Sequence, residues 1–215
     1  MGRRIMSNSS QIRIMIVEDH FVVREGLKAI INSQKDMVTV AEAVNGKQAV
    51  EAFERHQPDV TLMDLRIPGL NGIDAISGIV AKFPRARVIV LSTCGGDENI
   101  FRAFQAGARA YLLKDIKGQD LVDAIRAVHA GQRVVPPEIA SQLAGRVALT
   151  ALSPREMEIL TLISKGKSNK EIGTALAISE GTVRVHASNL LSKLRCSGRA
   201  QAVSEAIRRG IIELE

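Results

Sequence analysis

Residues able to do phosphoryl chemistry recur along the first half of the chain, each at the end of a short apolar run. Glu18-Asp19 follows 12–17, Asp64 closes 59–64, Ser92-Thr93 ends 87–92, and Lys114 follows 110–113, a run that contains Tyr111. In a parallel α/β sheet, ligand sites form outside the carboxyl ends of the strands. Three carboxylates gathered there repel one another unless a cation sits among them. With only oxygen donors counted at these positions, a hard ion fits, and Mg²⁺ is the natural choice because it accepts few protein ligands and keeps water and phosphate oxygens. A carboxylate beside such an ion can act as nucleophile toward a phosphoryl donor. Asp64, the isolated carboxylate, is the expected nucleophile, with Lys114 as a point charge for phosphoryl oxygens and Ser92 as a hydrogen-bond donor to one of them. The following Leu65-Arg66-Ile67-Pro68-Gly69 reads as a turn able to carry a ligand-facing loop. Taken singly, each of these residues would pass for a helix cap or a loop residue. Their joint occurrence at four strand ends points to a site.

The elements that must position them follow from the hydropathy pattern. Near-continuous apolar runs at 12–17, 38–44, 59–64, 87–92 and 110–113 read as strands buried on both faces. Helical stretches fall at 21–33, 47–56, 72–83, 98–106 and 118–130. Five βα units in succession predict a doubly wound α/β fold of flavodoxin-like type, with a five-stranded parallel sheet over residues 12–133. Residues 1–11 read as a flexible tail, since two arginines are followed by no apolar stretch and a secretory signal is not expected.

The pieces IMIVEDH, LMDLRIPGLNGID, VIVLST and GARAYLLKD resemble a bacterial response-regulator receiver domain. The resemblance implies that Asp64 is the phosphoacceptor, that Glu18, Asp19 and Asp64 hold Mg²⁺ with the backbone carbonyl of Arg66, that Ser92 is the switch hydroxyl, Lys114 the phosphate-pairing lysine, and Tyr111 the aromatic whose orientation follows phosphorylation. It also implies a sensor histidine kinase as phosphodonor. Two features depart from the pattern. Asp115 stands where many receivers have proline after the lysine, and Cys94-Gly95-Gly96-Asp97 makes an unusually flexible loop before the fourth helix.

The last third is written differently. Residues 134–151 begin Val-Val-Pro-Pro and read as an interdomain linker with a short helix. From 152 to 215 there is no convincing strand, and a small all-α domain of four helices is expected. Ser153-Pro154-Arg155-Glu156 and Ser168-Asn169-Lys170-Glu171 are capping boxes, Ser179 can cap a third helix, and a fourth runs from about 199 to Gly210. A helix at 169–176, a turn at Ala177-Ile178 and a helix from Glu180 have helix-turn-helix spacing. At 100° per residue, Val183, Ala187, Leu190 and Leu194 form one stripe. Val185, Ser188, Asn189 and Ser192 lie opposite, with Arg184 at the shoulder. That face has no acidic residue and suits a major groove, where Val185 could touch a thymine methyl and Arg184 a guanine edge or a phosphate. Asn169, Lys170, Thr182, His186 and Lys193 are better placed for phosphates. LSPREMEIL, SNKEI, TVRVH and KL resemble a LuxR-type DNA-binding domain, in which Ala usually stands where Gly173 does, a replacement expected to weaken that helix slightly.

Together the halves resemble a NarL/FixJ-type response regulator: a cytoplasmic regulator rather than an enzyme, binding double-stranded promoter DNA, with homodimerisation on activation implied by the resemblance and the transcription machinery a further candidate partner. The charge agrees with nucleic acid as a partner. The chain carries +6 overall; residues 1–149 hold 19 Lys+Arg against 16 Asp+Glu, while residues 150–215 hold 10 against 7. No apolar run approaches the ~18 residues of a membrane span. Cys94 and Cys196 stand in no metal-ligand spacing and read as reduced thiols. Two rival readings remain. One is an aspartyl-phosphate phosphatase of the haloacid-dehalogenase kind, against which Arg66 stands where a second Asp is required. The other is a phosphorylation-independent DNA binder with a vestigial receiver.

Overall fold

The structure, a computed structural model, describes residues 11–93, 96–147 and 152–212. Most of the N-terminal tail, Cys94-Gly95 of the loop before the fourth helix and 148–151 of the linker lie outside the described residues. The described chain divides into two compact units, 11–93 with 101–139, built on a sheet, and 96–100 with 140–147 and 152–212, which is helical.

In the first unit, five strands, β1 (Ile12–Val17), β2 (Met37–Ala43), β3 (Val60–Asp64), β4 (Val88–Ser92) and β5 (Ala110–Leu113), form one parallel sheet in the order β2-β1-β3-β4-β5. Helices α1 (Phe21–Asn32), α2 (Gly46–His56), α3 (Gly72–Lys82), α4 (Asp97–Gln105) and α5 (Gly118–His129) connect and cover them, followed by α6 (Pro137–Val147) where the linker helix was expected. Every residue of β3 and β4 is buried, as two covered faces require. Along the strands, Ile14, Ile16, Leu62, Ile89, Leu91 and Leu112 pack with Ile31 of α1 and Leu121, Val122, Ile125 and Val128 of α5. The alternate positions Met15, Met63, Val88 and Val90 are equally buried and, by the strand period, face the other side. Each such side chain contributes roughly 1.5–3 kcal/mol on burial. The strand order reverses between β1 and β3, so their carboxyl ends open a crevice. Side-chain oxygens of Asn45 and Asn71 cap α2 and α3 by accepting from the Gln48 and Asp74 amides. Among the described residues no peptide bond is cis, so Lys114–Asp115 is trans.

Gly72 ties this scaffold to the crevice. A Cβ there would lie 2.3 Å from the Asp64 carbonyl oxygen and 2.7 Å from the Leu65 Cα, both backbone atoms that cannot yield cheaply. Gly72→Ala is therefore expected to displace the segment after β3 and destabilise the protein by about 1–3 kcal/mol. A urea midpoint equal to wild type would contradict this.

The second unit contains α7 (Pro154–Ser164), α8 (Asn169–Leu176), α9 (Glu180–Leu194) and α10 (Arg199–Arg209). Both capping boxes form, at Ser153/Glu156 and Ser168/Glu171, and the Ser179 hydroxyl accepts from the Thr182 amide. Ala177, at φ 53°, and Gly210, at φ 72°, end α8 and α10 in the left-handed conformation. Val183 packs with Ile159, Ile163 and Ile172, while Leu190 and Leu194 pack with Leu160, Ala202 and Ala206. Gly173 proves to be more than a weak helix former. A Cβ there would sit 2.8 Å from the Ile178 carbonyl oxygen, so glycine lets the turn close directly on α8. Arg155 braces the same turn by donating to the Leu176 carbonyl at 2.8 Å.

Candidate functional site

The strand register brings the carboxyl ends into line: Val17 pairs with Met63, Asp64 with Leu91, and Ser92 with Leu113. Glu18 continues from β1 beside Asp64, and the Lys114 amide donates to the Ser92 carbonyl at 2.9 Å, which carries the lysine onto the same rim. Its ammonium bridges two carboxylates, donating to Glu18 Oε2 at 2.6 Å and to Asp64 Oδ2 at 2.7 Å. The other Asp64 oxygen accepts from the Arg66 amide at 3.0 Å. The Arg66 guanidinium reaches the Thr93 hydroxyl. Glu18, Asp64, Ser92 and Tyr111 are buried, while Asp19 is half-buried.

Burial pushes the Asp64 carboxyl up from the ordinary range, and hydrogen bonds from Lys114 and the Arg66 amide oppose the rise without cancelling it. Burial also works against the Lys114 charge, but the hydrogen bonds to Asp64 and Glu18 outweigh it and raise the lysine. The cluster thus keeps its ammonium charged while leaving Asp64 reluctant to carry charge alone. Removing the cation should be severe: Lys114→Ala leaves two buried carboxylates facing each other and is expected to lower stability by about 3 kcal/mol in divalent-free buffer. Equal unfolding midpoints for wild type and variant would contradict it.

One expectation needs correction. The donors at this rim are not oxygens alone: Glu18, Asp19, His20 and Asp64 each offer a ligand atom within 4.8 Å of the others. His20 Nδ1 hydrogen-bonds Glu18 Oε1 at 3.1 Å and lies 2.9 Å from Asp19 Oδ1. That second approach lacks hydrogen-bond geometry, so Asp19 Oδ1 remains buried and unsatisfied. An orphaned carboxylate oxygen in an acidic crevice suits a cation ligand. His20 was visible in the sequence as the neighbour of Glu18-Asp19, yet nothing in its position told which way the ring would turn.

In the helical unit, Val183, Ala187, Leu190 and Leu194 are buried on α9, as the helical period requires. Val185 is 60% exposed, an apolar side chain with no cover, and Arg184, Ser188, Asn189 and Ser192 are exposed around it. Arg184 pairs with Glu180 at 2.7 Å, a surface i,i+4 contact worth little and easily exchanged. Thr182 and Lys170 are exposed, and His186 is half-buried. Three of the phosphate candidates have protein partners. The Thr182 and Ser179 hydroxyls share a hydrogen bond at 2.8 Å. The Lys193 ammonium donates to the buried Glu156 carboxylate at 2.7 Å, tying α9 to α7. Asn169 Oδ1 accepts from the Arg199 guanidinium, which also donates to the Lys167 carbonyl at 3.1 Å. Burial opposes the Glu156 charge, but Lys193 and the Ser153 amide outweigh it and hold the carboxyl below its ordinary range. Among the described residues no helix is long and apolar enough to cross a membrane.

Residues 14–126 match the family described as "Response regulator receiver domain", and residues 150–206 match "Bacterial regulatory proteins, luxR family". The "Response regulator protein VraR" of Staphylococcus aureus is 37% identical over 207 residues, 94% of this chain and 99% of that one. Among solved structures, response regulator ChrA of a heme-sensing two-component system is 37% identical, with a TM-score of 0.57 over 94% of this chain and 100% of that one. A LuxR-family response regulator from Aurantimonas sp. SI85-9A1 is 36% identical, with a TM-score of 0.61 over 64% of this chain and 99% of that one. RcsB, solved as two dimers bound to two parallel DNAs, shares the fold at 22% identity, with a TM-score of 0.70 over 93% of this chain and 99% of that one.

Proposed function

The chain belongs to the response regulators of two-component systems, with a receiver and a LuxR-type DNA-binding domain, and from that premise we propose that Asp64 accepts a phosphoryl group from a sensor histidine kinase and that α9 reads promoter DNA in response. The observation that carries the first half is the Lys114 ammonium held between Glu18 and Asp64 at 2.6 and 2.7 Å.

An Asp64 carboxylate oxygen attacks the phosphorus of a phosphohistidine. The new bond is an acyl phosphate O–P bond, the P–N bond breaks, and its electron pair leaves with the imidazole. Asp64 is suited to this because its other oxygen is already fixed by the Arg66 amide. Lys114 stays on Glu18 while its contact with Asp64 passes to a phosphoryl oxygen, so no buried carboxylate is stranded. Ser92, buried at the end of β4, donates its hydroxyl to a second phosphoryl oxygen, and Tyr111 on β5 follows that movement. Glu18, Asp19 and Asp64, with the Arg66 carbonyl, would hold Mg²⁺, which supplies neutralisation of the clustered carboxylates and the incoming phosphoryl oxygens. The unsatisfied Asp19 oxygen supports that fit.

The regulator turns over no substrate of its own, works in the cytoplasm and binds DNA as a homodimer, with the transcription machinery a further candidate partner. Arg184, Val185, Ser188, Asn189 and Ser192 face base edges, while Asn169, Lys170, Thr182, His186 and Lys193 lie toward phosphates. Lys193 divides its three donors between that role and Glu156.

The test is duplex binding by the full chain at fixed salt, with and without phosphoramidate and Mg²⁺, using a duplex enriched from a random library. Phosphorylation is expected to tighten binding by roughly 5–150-fold. Equal affinity in both states would favour a phosphorylation-independent DNA binder.

A further inference from the structure

We propose that Arg24 is a positioning residue for the acidic loop: its guanidinium fixes the main chain of Glu18 and Asp19 so that both carboxylates face the Asp64 crevice. The inference rests on the reading of that crevice as a divalent-cation site.

Arg24 lies one helical turn beyond His20, its amide donating to the His20 carbonyl at 3.0 Å. From there the side chain folds back to the loop. Its Nη1 donates to the Glu18 carbonyl at 2.8 Å and reaches the Asp19 carbonyl at 3.4 Å. Its Nε donates to Glu42 Oε2 on β2 at 3.3 Å, and the other Glu42 oxygen holds Lys28 Nζ at 2.6 Å. The Phe21 ring lies 5.6 Å from the guanidinium carbon. Only 13% of the Arg24 side chain is exposed, so these contacts are not a loose surface pairing.

The geometry has a direct consequence. Peptide units are planar, so holding the Glu18 and Asp19 carbonyls fixes two successive peptide planes and the direction in which both side chains leave the chain. Those side chains would otherwise be driven apart by their own charge and by Asp64. Glu42 holds the Nε of the same guanidinium, which makes β2 the anchor of the brace. Lysine does not replace this arrangement, because a point-charge ammonium on a flexible stem lacks the fixed separation of Nη1 and Nε that spans the loop carbonyls and Glu42.

The test uses the full-length chain and Mn²⁺ alone as probe, with free aqueous Mn²⁺ read by electron paramagnetic resonance. Arg24→Lys and Arg24→Ala are expected to weaken Mn²⁺ binding by about tenfold or more, the range seen when a group supporting metal ligands is lost. Glu42→Gln should weaken it less, since Arg24 keeps its carbonyls. Arg126→Ala is the control. It removes another guanidinium from the same unit, one paired to Asp36 at 2.9 and 3.0 Å, and should lower the melting temperature while leaving Mn²⁺ affinity unchanged. Wild-type Mn²⁺ affinity in both Arg24 variants would overturn the inference. Equal weakening by Arg24→Ala and Arg126→Ala at equal loss of melting temperature would overturn it too, by reducing the effect to stability. If wild type shows no Mn²⁺ binding that Asp64→Asn abolishes, the cation-site reading itself falls, and the inference with it.

Discussion

Incubation of the full chain with phosphoramidate and Mg²⁺ is expected to add one phosphoryl group to wild type and none to Asp64→Asn, by intact mass. The amide of asparagine is not a nucleophile toward phosphorus, and among the described residues no second carboxylate shares both Lys114 and the Arg66 amide. An adduct that persists in the variant would remove Asp64 from its proposed role. The same substitution has a stability signature. Because burial raises the Asp64 carboxyl above its ordinary value of 3.8, the charged form burdens the fold. A raised carboxyl contributes stability fully below the unfolded value and loses it as pH rises through the folded one. Asp64→Asn should therefore melt above wild type at pH 7 in divalent-free buffer, with the difference vanishing as pH falls below about 4. A variant that melts below wild type at pH 7 would contradict this sign.

The second large effect lies on α9. Val185→Asp places a carboxylate on the outward face, against a polyanion, and should abolish specific duplex binding. Arg184→Ala should weaken it by about 1–3 kcal/mol, roughly 5–150-fold, with relaxed preference at one base pair. Both positions are exposed, so unfolding midpoints should stay within about 0.5 kcal/mol of wild type. Lys193→Ala is expected to differ from them: it loses the tie to Glu156, so its melting temperature falls together with its affinity. Unchanged affinity and sequence preference in both Val185→Asp and Arg184→Ala, at stated salt, would defeat α9 as the reading helix.

How much of this was legible in the chain depends on how local the cause is. The inner strands were legible because burial on both faces writes itself as continuous apolar runs; β1 and β5 agree with the expectation residue for residue, β3 and β4 each start one residue later, and β2, an edge strand that is mostly half-buried rather than covered on both faces, begins and ends one residue earlier. The capping boxes at Ser153 and Ser168 were legible because both partners lie within four residues. The inward stripe of α9 followed from one period. Contacts between distant segments were not legible in this way. Lys114 and Glu18 are 96 residues apart, and only the chemistry shared by the strand ends and the receiver-domain resemblance put them at one site. The helical period gave a direction for Lys193 but could not reveal a buried carboxylate 37 residues earlier. Arg24 went unnoticed because an arginine on an amphipathic helix reads as solvated surface, and only the fold shows two carbonyls and Glu42 around it. The packing role of Gly173 was not legible for the same reason: helix propensity sees the missing methyl, but not the Ile178 carbonyl beside it.

The central claim is that side chains from separate strands make Asp64 the phosphoacceptor. Its most direct test is chemical location of the phosphoryl group. After treatment with phosphoramidate and Mg²⁺, borohydride reduces an aspartyl phosphate to homoserine, and peptide mass mapping then finds the altered residue. The expected result is homoserine at position 64 and at no other aspartate. Reduction at a different carboxylate, or a phosphoryl group recovered on histidine or serine with Asp64 intact, would contradict it.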